Sequence, residues 1–321
     1  MKKKSFPIIV LDEHPDWLNP LYEEFRKRNV PYQKVDINSA FYDAQESAIS
    51  PFYINRLSPS AGKRGHDASF TYAYNYLKHL EKLGARIING SHTVLLETNK
   101  AEQSALLHQL HISQPRTIVL NDIRWLKQAA DKLRYPLIVK PNRGGSGMNM
   151  KKFETQNELE TAITNNEIPL PSDNLLLLQE YIQPKDGYIV RVEVINKKVV
   201  YGMKVYTKGT FNLCPSDSCD LQRDSTDDDL GYCVATPTED VRFELYEDLP
   251  KSVVSAIEKI VRTADLECAG IEYVVDKDDN WYIYDINALS ILRSSFKEEY
   301  GIDAWGQLAD YFITEYKKVV K

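Results

Sequence analysis

The first third of the chain alternates between two periods of apolar residues. Residues 6–11 form a mostly apolar run, residues 17–28 place apolar side chains at helical spacing, and residues 32–37 alternate as a strand does. The same succession of strand, helix and strand recurs over residues 51–89, where Gly84 separates the helix from the last strand. Because strands and helices in alternation are typical of a parallel sheet covered by helices, we expect an N-terminal α/β domain.

Farther along the chain, strand patterns follow one another directly. Turns at residues 196–198 and 276–280 join strand patterns on either side, which predicts antiparallel pairs and an α+β arrangement in the C-terminal part. The predicted helices cover residues 123–133, 154–165, 251–264 and 305–316, with another after Lys100, and the predicted strands cover residues 116–120, 137–140, 175–182, 188–205, 270–275 and 281–286.

One long segment, residues 207–238, is polar and has no periodicity. Loops of this length are usually functional or mobile. Three of the four cysteines lie in it, at Cys214, Cys219 and Cys233. Their spacing is not the paired arrangement of a structural zinc site and no histidine is nearby, so we expect three thiols on a loop rather than bound zinc.

Composition and charge exclude several classes of protein. A chain of 321 residues, 43% of them hydrophobic, is long enough for two domains or three small ones. The net charge is −6 with both signs interspersed, so we expect no nucleic acid and no membrane as partner. No apolar run approaches the roughly 20 residues of a membrane span, and the basic N-terminus lacks a signal-peptide cleavage site. With few cysteines as well, the chain is predicted to be cytoplasmic.

The densest chemical signal is a lysine that ends a strand and is followed by glycines. Lys140 closes the strand pattern, and Gly144, Gly145 and Gly147 come shortly after it. Bare backbone N–H groups in such a loop can approach a polyphosphate while the ammonium offsets its charge. The order differs from that of a P-loop, in which the lysine follows the glycines. The pattern predicts a phosphate site, and a plain connection between two strands is the alternative.

A second signal is a polar strand end. Gln179 and Glu180 leave a strand whose backbone groups could pair with an adenine ring, and Arg191 lies on the next strand pattern. Taken alone, this segment also fits an ordinary strand with an exposed acid.

A third signal is a set of oxygen-bearing side chains on two neighbouring strands. Glu272 lies on the first strand, and Asp285 and Asn287 lie on the second. Because Asp285 and Asn287 are two residues apart, they point the same way. Three hard oxygen ligands suit Mg²⁺ held together with substrate phosphates. The alternative is a solvated strand, although Asp285 sits in an apolar run where an unpaired carboxylate is costly.

These three signals, in this order, resemble the ATP-grasp superfamily, and most closely its branch of ribosomal-protein glutamate ligases and related amino-acid ligases. Residues 54–59 resemble the strand and arginine-bearing turn of the branch's N-terminal domain. Residues 98–100, followed by a helix and Pro115, resemble the segment with the first nucleotide-binding lysine. The resemblance implies an N-terminal parallel α/β domain, residues 1–97, followed by a two-lobed ATP-grasp fold, residues 98–182 and 183–321.

The resemblance also implies roles for individual residues. Lys100 and Lys140 would hold ATP phosphates, with Arg191 at the transferring phosphate. Two Mg²⁺ ions, or Mn²⁺ in their place, would bind Glu272, Asp285 and Asn287. The remaining nucleotide contacts would come from the glycine-rich loop, the adenine-binding strand end, a ribose contact and residues near the γ-phosphate, namely Gly144, Gly145, Ser146, Gly147, Gln179, Glu180, Tyr181, Ile182, Asp186, Lys204, Lys208 and Asn212.

The chain departs from the branch at three places. The metal acids stand in the order Glu272 then Asp285, the reverse of the usual set. Ile189 replaces an acid that often precedes the arginine matched here to Arg191. Residues 288–291 replace the usual ending after the metal asparagine, which indicates a different substrate side.

The function implied is an ATP-dependent carboxylate–amine ligase that works through an acyl phosphate. Its substrates would be a small-molecule or peptide carboxylate and an amine, and Arg56, Arg64 and Arg293 are candidates to bind the carboxylate. Two alternatives keep the fold: an ATP-binding regulatory module without ligase activity, and a kinase acting on a hydroxyl. The sequence leaves the oligomeric state open, a homo-oligomer included, and residues 207–238 are expected to govern the choice of acceptor.

Overall fold

The computed structural model describes residues 6–14, 16–58, 60–144, 147, 149–171, 173–206 and 242–320. Thirteen strands in this part of the chain form three separate sheets. Among the described helices, none combines the length and apolar character that crossing a bilayer requires.

The first sheet is parallel, with strand order β2–β1–β3–β4. Its strands are β1 (Ile8–Asp12), β2 (Tyr32–Asp36), β3 (Phe52–Arg56) and β4 (Arg86–Ile88), and its helices are α1 (Asn19–Lys27) and α2 (Ala68–Lys82). Ile8 and Val10 pack on the α1 side, whereas Ile9 and Leu11 pack on the α2 side. Helices on both faces explain why β1 is apolar throughout rather than alternating.

The second sheet is antiparallel, with strand order β5–β8–β6–β7. It consists of β5 (Thr117–Leu120), β6 (Leu137–Pro141), β7 (Lys151–Phe153) and β8 (Leu176–Glu180), with α5 (Leu126–Ala130) and α6 (Gln156–Thr164) beside it. Leu137, Val139 and Leu178 pack in one core with these helices. Because side chains alternate along a strand, Lys140 projects from the opposite face.

The third sheet is antiparallel, with strand order β11–β10–β9–β12–β13. It consists of β9 (Tyr188–Ile195), β10 (Lys198–Tyr206), β11 (Arg242–Tyr246), β12 (Cys268–Val275) and β13 (Trp281–Asn287), with α7 (Lys251–Thr263) on one face. Val190 and Val192 share a core with α7. Arg191, between them, therefore points to the other face.

Four helices join the sheets. They are α3 (Ser91–Glu97), α4 (Lys100–Gln109), α8 (Phe296–Tyr300) and α9 (Ala304–Val319). Leu107 and Leu110 of α4 lie in the same core as α7 and β13, and α9 shares a core with α1. The segment that leads into the second sheet is thus anchored on the third, and the chain end is anchored on the first.

The predicted mixed α/β fold is confirmed. The sequence pattern missed α3, β7, β11 and α8, each of seven residues or fewer and too short for a clear period. The helix predicted over residues 123–133 is instead a 3₁₀ turn at Ile123–Trp125 followed by the short α5. The predicted ranges 1–97, 98–182 and 183–321 each contain one sheet, and their boundaries stay a prediction.

Candidate active site

Lys100 begins α4 at the junction of two sheets. The side chain of Asn99 caps the helix by accepting the Glu102 N–H at 3.1 Å. The Lys100 N–H donates to Asn142 O at 3.2 Å, which ties the helix start to the loop after β6. Its ammonium donates to Gly144 O at 3.1 Å and lies 3.3 Å from Asp285 Oδ1. Lys100 therefore links the glycine-rich loop to the acid on β13.

Lys140 is buried on the face of the second sheet opposite to α5 and α6. Its ammonium donates to Gln179 Oε1 at 2.9 Å on the neighbouring strand. Burial lowers the pKa of Lys140 to about 8, with a further contribution from Lys100, and Asp285 and Glu272 act against this shift. Two ammonium groups thus share one cleft with two carboxylates, and an anionic ligand there would relieve the repulsion between the cations.

Glu272 and Asp285 lie opposite each other on β12 and β13. Opposed residues of an antiparallel pair project from the same face, and Asn287 follows on that face. Burial raises the pKa of Glu272, although Arg191 pulls it down. For Asp285, burial also disfavours the charge, but Lys100 and Lys140 outweigh it and lower the pKa. The two acids therefore occupy different electrostatic surroundings.

This acidic set fits Mg²⁺ only in combination with a substrate. The Asn287 amide donates to Asp285 Oδ2 at 3.3 Å, and Glu272 accepts from Arg191 and from the Tyr284 hydroxyl at 2.9 Å. In the described part of the chain, no three His, Cys, Asp or Glu side chains are grouped to hold a metal by themselves. Two carboxylates and one amide oxygen suit Mg²⁺, which commonly takes its other ligands from phosphates and water.

Arg191 is held by a buried network on the same face. Its guanidinium donates to Glu193 and Glu272, each at 2.7 Å, and to Ser290 Oγ at 2.6 Å. Burial alone would lower the pKa of Arg191, but the two carboxylates raise it. Gly270 makes room for the guanidinium, because a Cβ there would lie 2.5 Å from Arg191 Nη2. Each of the three guanidinium nitrogens of Arg191 therefore has a hydrogen-bond partner.

Glu97 lies beside the metal donors, and no sequence pattern indicated it. The carboxylate is buried and accepts the N–H groups of Ala288 and Leu289, the latter at 3.2 Å. Burial raises the pKa of Glu97 to about 7, and the neighbouring Asp285 adds to the effect. It ends α3, a helix too short to be predicted, so only the three-dimensional structure brings it to the metal donors.

Several predicted nucleotide contacts can be placed only in part. Gly144 and Gly147 have φ values of 147° and 70°, which favour glycine, so the backbone supports the loop expected there. Gly145, Ser146, Lys208 and Asn212 lie outside the described residues.

The predicted adenine-binding strand end lies beside Lys140, but its side chains already have partners. The Glu180 carboxylate accepts the Arg134 N–H at 3.0 Å and its guanidinium at 3.1 Å. The Tyr181 N–H donates to Pro136 O at 2.8 Å. Ile182 is half-buried, and Asp186 is exposed. Their roles in binding adenine and ribose stay predictions.

Lys204 does not join the cluster of lysines and acids. It pairs with Val190 on β9, and the adjacent pair is Met203 with Arg191. Neighbouring residues face opposite ways, so the Lys204 ammonium lies over the rings of Tyr188 and Tyr246, 5.1 and 5.4 Å from their centroids. This placement does not support the expected position beside the γ-phosphate.

The three arginines predicted to bind a substrate carboxylate have internal partners. Arg56 is buried and donates to the Ser290 carbonyl oxygen. Arg64 binds the buried Glu13 through two nitrogens, at 2.9 and 2.5 Å. Arg293 lies over the Phe243 ring, 4.3 Å from its centroid. Arg56 reaches the same residue, Ser290, that holds Arg191, so it borders the site, and its role toward substrate stays a prediction.

Comparisons with known proteins bear on the fold and on the central segment. Residues 97–214 match the family described as RimK-like ATP-grasp domain. The chain is 23% identical over 159 residues to D-alanine–D-alanine ligase of Actinobacillus succinogenes, covering 49% of this chain and 45% of that protein. It is 23% identical over 240 residues to human N-acetylaspartylglutamate synthase A, covering 73% of this chain and 54% of that protein. The chain thus spans about half the length of these curated relatives.

A solved structure extends the likeness over nearly the whole chain. A RimK domain ATP-grasp protein from Sphaerobacter thermophilus has a TM-score of 0.68 and 16% identity, covering 95% of this chain and 98% of the other. The molecule has the ATP-grasp fold, and the predicted resemblance to that superfamily is confirmed.

Proposed function

We propose that this protein is an ATP-dependent ligase that joins a carboxylate to an amine through an acyl phosphate, with release of ADP and inorganic phosphate. The observation that carries the proposal is the meeting of Lys100 and Lys140 with Asp285 and Glu272 in one cleft. ATP and Mg²⁺ bring the complementary charges, and a need for ATP agrees with the predicted cytoplasmic location.

In this proposal the two lysines bind the phosphates of ATP and the acidic set binds Mg²⁺ or Mn²⁺. The two ammonium groups already repel each other, and a bound triphosphate would relieve this repulsion. Glu272, Asp285 and Asn287 would hold two such ions. When bound, the metal offsets charge on the phosphate oxygens and orients them for in-line transfer.

The chemistry then proceeds by positioning and electrostatics rather than through an enzyme nucleophile. A carboxylate oxygen of the first substrate attacks the γ-phosphorus, and the bond from that phosphorus to the ADP oxygen breaks. Arg191, fixed by Glu193 and Glu272, faces the negative charge that develops on the transferring group. The amine of the second substrate attacks the acyl carbon, phosphate leaves, and the amine proton passes to phosphate or solvent.

The substrates proposed are amino acids or peptides. Both curated relatives named above are named for products or substrates made of amino acids, which favours the same chemical class here. Residues 288–291 follow the metal donors directly and border Arg56 and Arg191, so they are the part of the described chain best placed to shape the carboxylate site.

The proposal is tested by incubating the protein with Mg-ATP and pools of amino acids and short peptides, and measuring ADP, phosphate and new amides. We expect ADP and phosphate in equal amounts, and only when both a carboxylate and an amine are present. ADP without free phosphate would indicate a kinase that acts on a hydroxyl. ATP binding without turnover would indicate a regulatory module, and either result would overturn the ligase proposal.

A further inference from the structure

The side-chain amide of Gln103 is bonded to β13 between two of the proposed metal donors. Gln103 Nε2 donates to Ile286 O at 2.9 Å, and the Ile286 N–H donates to Gln103 Oε1 at 3.1 Å. Ile286 is the residue between Asp285 and Asn287, and β13 is an edge strand. The amide thus supplies the two main-chain bonds that a further strand would otherwise give at this point.

The same amide is fixed at its own end. Gln103 is buried, and its Nε2 also donates to Leu96 O at 2.9 Å, near the end of α3. Glu97, the next residue, accepts the N–H groups of Ala288 and Leu289. The corner between α3 and α4 is therefore hydrogen-bonded to the end of β13 at two places. Gln103 bonds the residue between the two metal donors, and Glu97 bonds the residues directly after them.

Lys100 lies in this corner as well and contacts the first donor, Asp285. We propose that the α3–α4 corner, residues 96–103, sets the position of the magnesium donors relative to the nucleotide lysine, with Gln103 as a positioning residue. The inference rests on the proposed function, because it concerns the same metal-nucleotide site. It adds a residue outside the predicted ligand set.

The physical reason is the cost of leaving main-chain groups unpaired in a buried place. An apolar side chain at position 103 would leave the Ile286 N–H and C=O without these bonds, and the strand end would shift to find others. Such a shift moves Asp285 and Asn287 together, since they flank Ile286. Loss of a group that holds the metal ligands in position typically weakens metal binding by about ten-fold or more.

The test uses Mn²⁺ as a probe, because its free form is measured directly by electron paramagnetic resonance. Titrations of Mn²⁺ in the presence of ATP compare the wild type, Gln103→Met and the control Gln109→Met. Gln109 is exposed near the end of the same helix, so the control repeats the substitution without the contacts. We expect Mn²⁺ binding about ten-fold weaker in Gln103→Met and unchanged in the control. Equal affinity in all three proteins overturns the inference.

A second variant decides the matter if Gln103→Met does not fold. Gln103→Asn keeps the amide but shortens the side chain by one methylene, so it cannot reach both the Ile286 N–H and the Ile286 C=O. It adds no charge, so weaker Mn²⁺ binding comes from the lost bonds, and wild-type binding overturns the inference. If the wild type itself does not bind Mn²⁺ with ATP, the proposed function fails together with the inference.

Discussion

Replacement of Glu97 by glutamine should remove a pH-dependent destabilisation of the folded protein. Burial raises the pKa of Glu97 from an ordinary value of 4.5 to about 7. The unfolded chain therefore loses this proton at a lower pH than the folded chain does. Stability from the protonated group is present below pH 4.5 and is lost as the pH rises toward 7.

The size of the effect follows from the two pKa values. One pKa unit corresponds to about 1.4 kcal/mol, so the interval from 4.5 to about 7 is worth about 3.5 kcal/mol. Between pH 5 and pH 8, the free energy of unfolding of the wild type should fall by about 2.5 kcal/mol relative to that of Glu97→Gln. The glutamine carbonyl can still accept a main-chain N–H from Ala288 or Leu289, so the variant should fold.

The assay is urea unfolding at several pH values in EDTA, without nucleotide. Glu102→Gln is the matched control, since Glu102 is exposed in the first turn of α4. The control should follow the pH dependence of the wild type. If the wild type and Glu97→Gln keep a constant difference from pH 5 to pH 8, the carboxyl is not held protonated by its surroundings and the reasoning is wrong.

Three further predictions concern individual side chains. Lys140→Met should abolish most ATP binding in calorimetry yet raise the melting temperature without nucleotide, because burial of the ammonium is costly; a lower melting temperature would contradict this. Gly270→Ala should cost about 3 kcal/mol in denaturant unfolding and at least about ten-fold in ADP formation, because its Cβ would displace Arg191; wild-type values would contradict the tight packing there. Arg134→Ala should change the Michaelis constant for ATP only if Glu180 contacts adenine, and an unchanged constant would count against that role.

Sequence patterns were sufficient for the chemistry that a single strand or loop displays. Lys140 at a strand end and the pair Asp285 and Asn287 were identified because their spacing fixes which way they point, and the structure places them in one cleft. Glu97 and Gln103 were missed because each contacts main-chain groups far along the chain, 192 and 183 residues away, and nothing in the local pattern marks such contacts.

The face of the sheet on which Lys204 lies was unpredictable for a different reason. β10 pairs with β9 through a register irregularity between Val199 and Tyr201. A one-residue change of register moves every side chain to the other face of a sheet, so the face of Lys204 cannot be read from the sequence. The resemblance supplied the strand correctly, but it could not supply the side on which the ammonium lies.

The most direct test of the account follows the carboxylate oxygens during turnover. With the amino acid or peptide that supports ADP formation, its carboxylate is labelled with ¹⁸O and the phosphate released is analysed by mass spectrometry. Attack by the carboxylate on the γ-phosphorus predicts one ¹⁸O atom in each phosphate formed. Phosphate without the label, alongside normal amide formation, would show that no acyl phosphate forms and would contradict the proposed ligase.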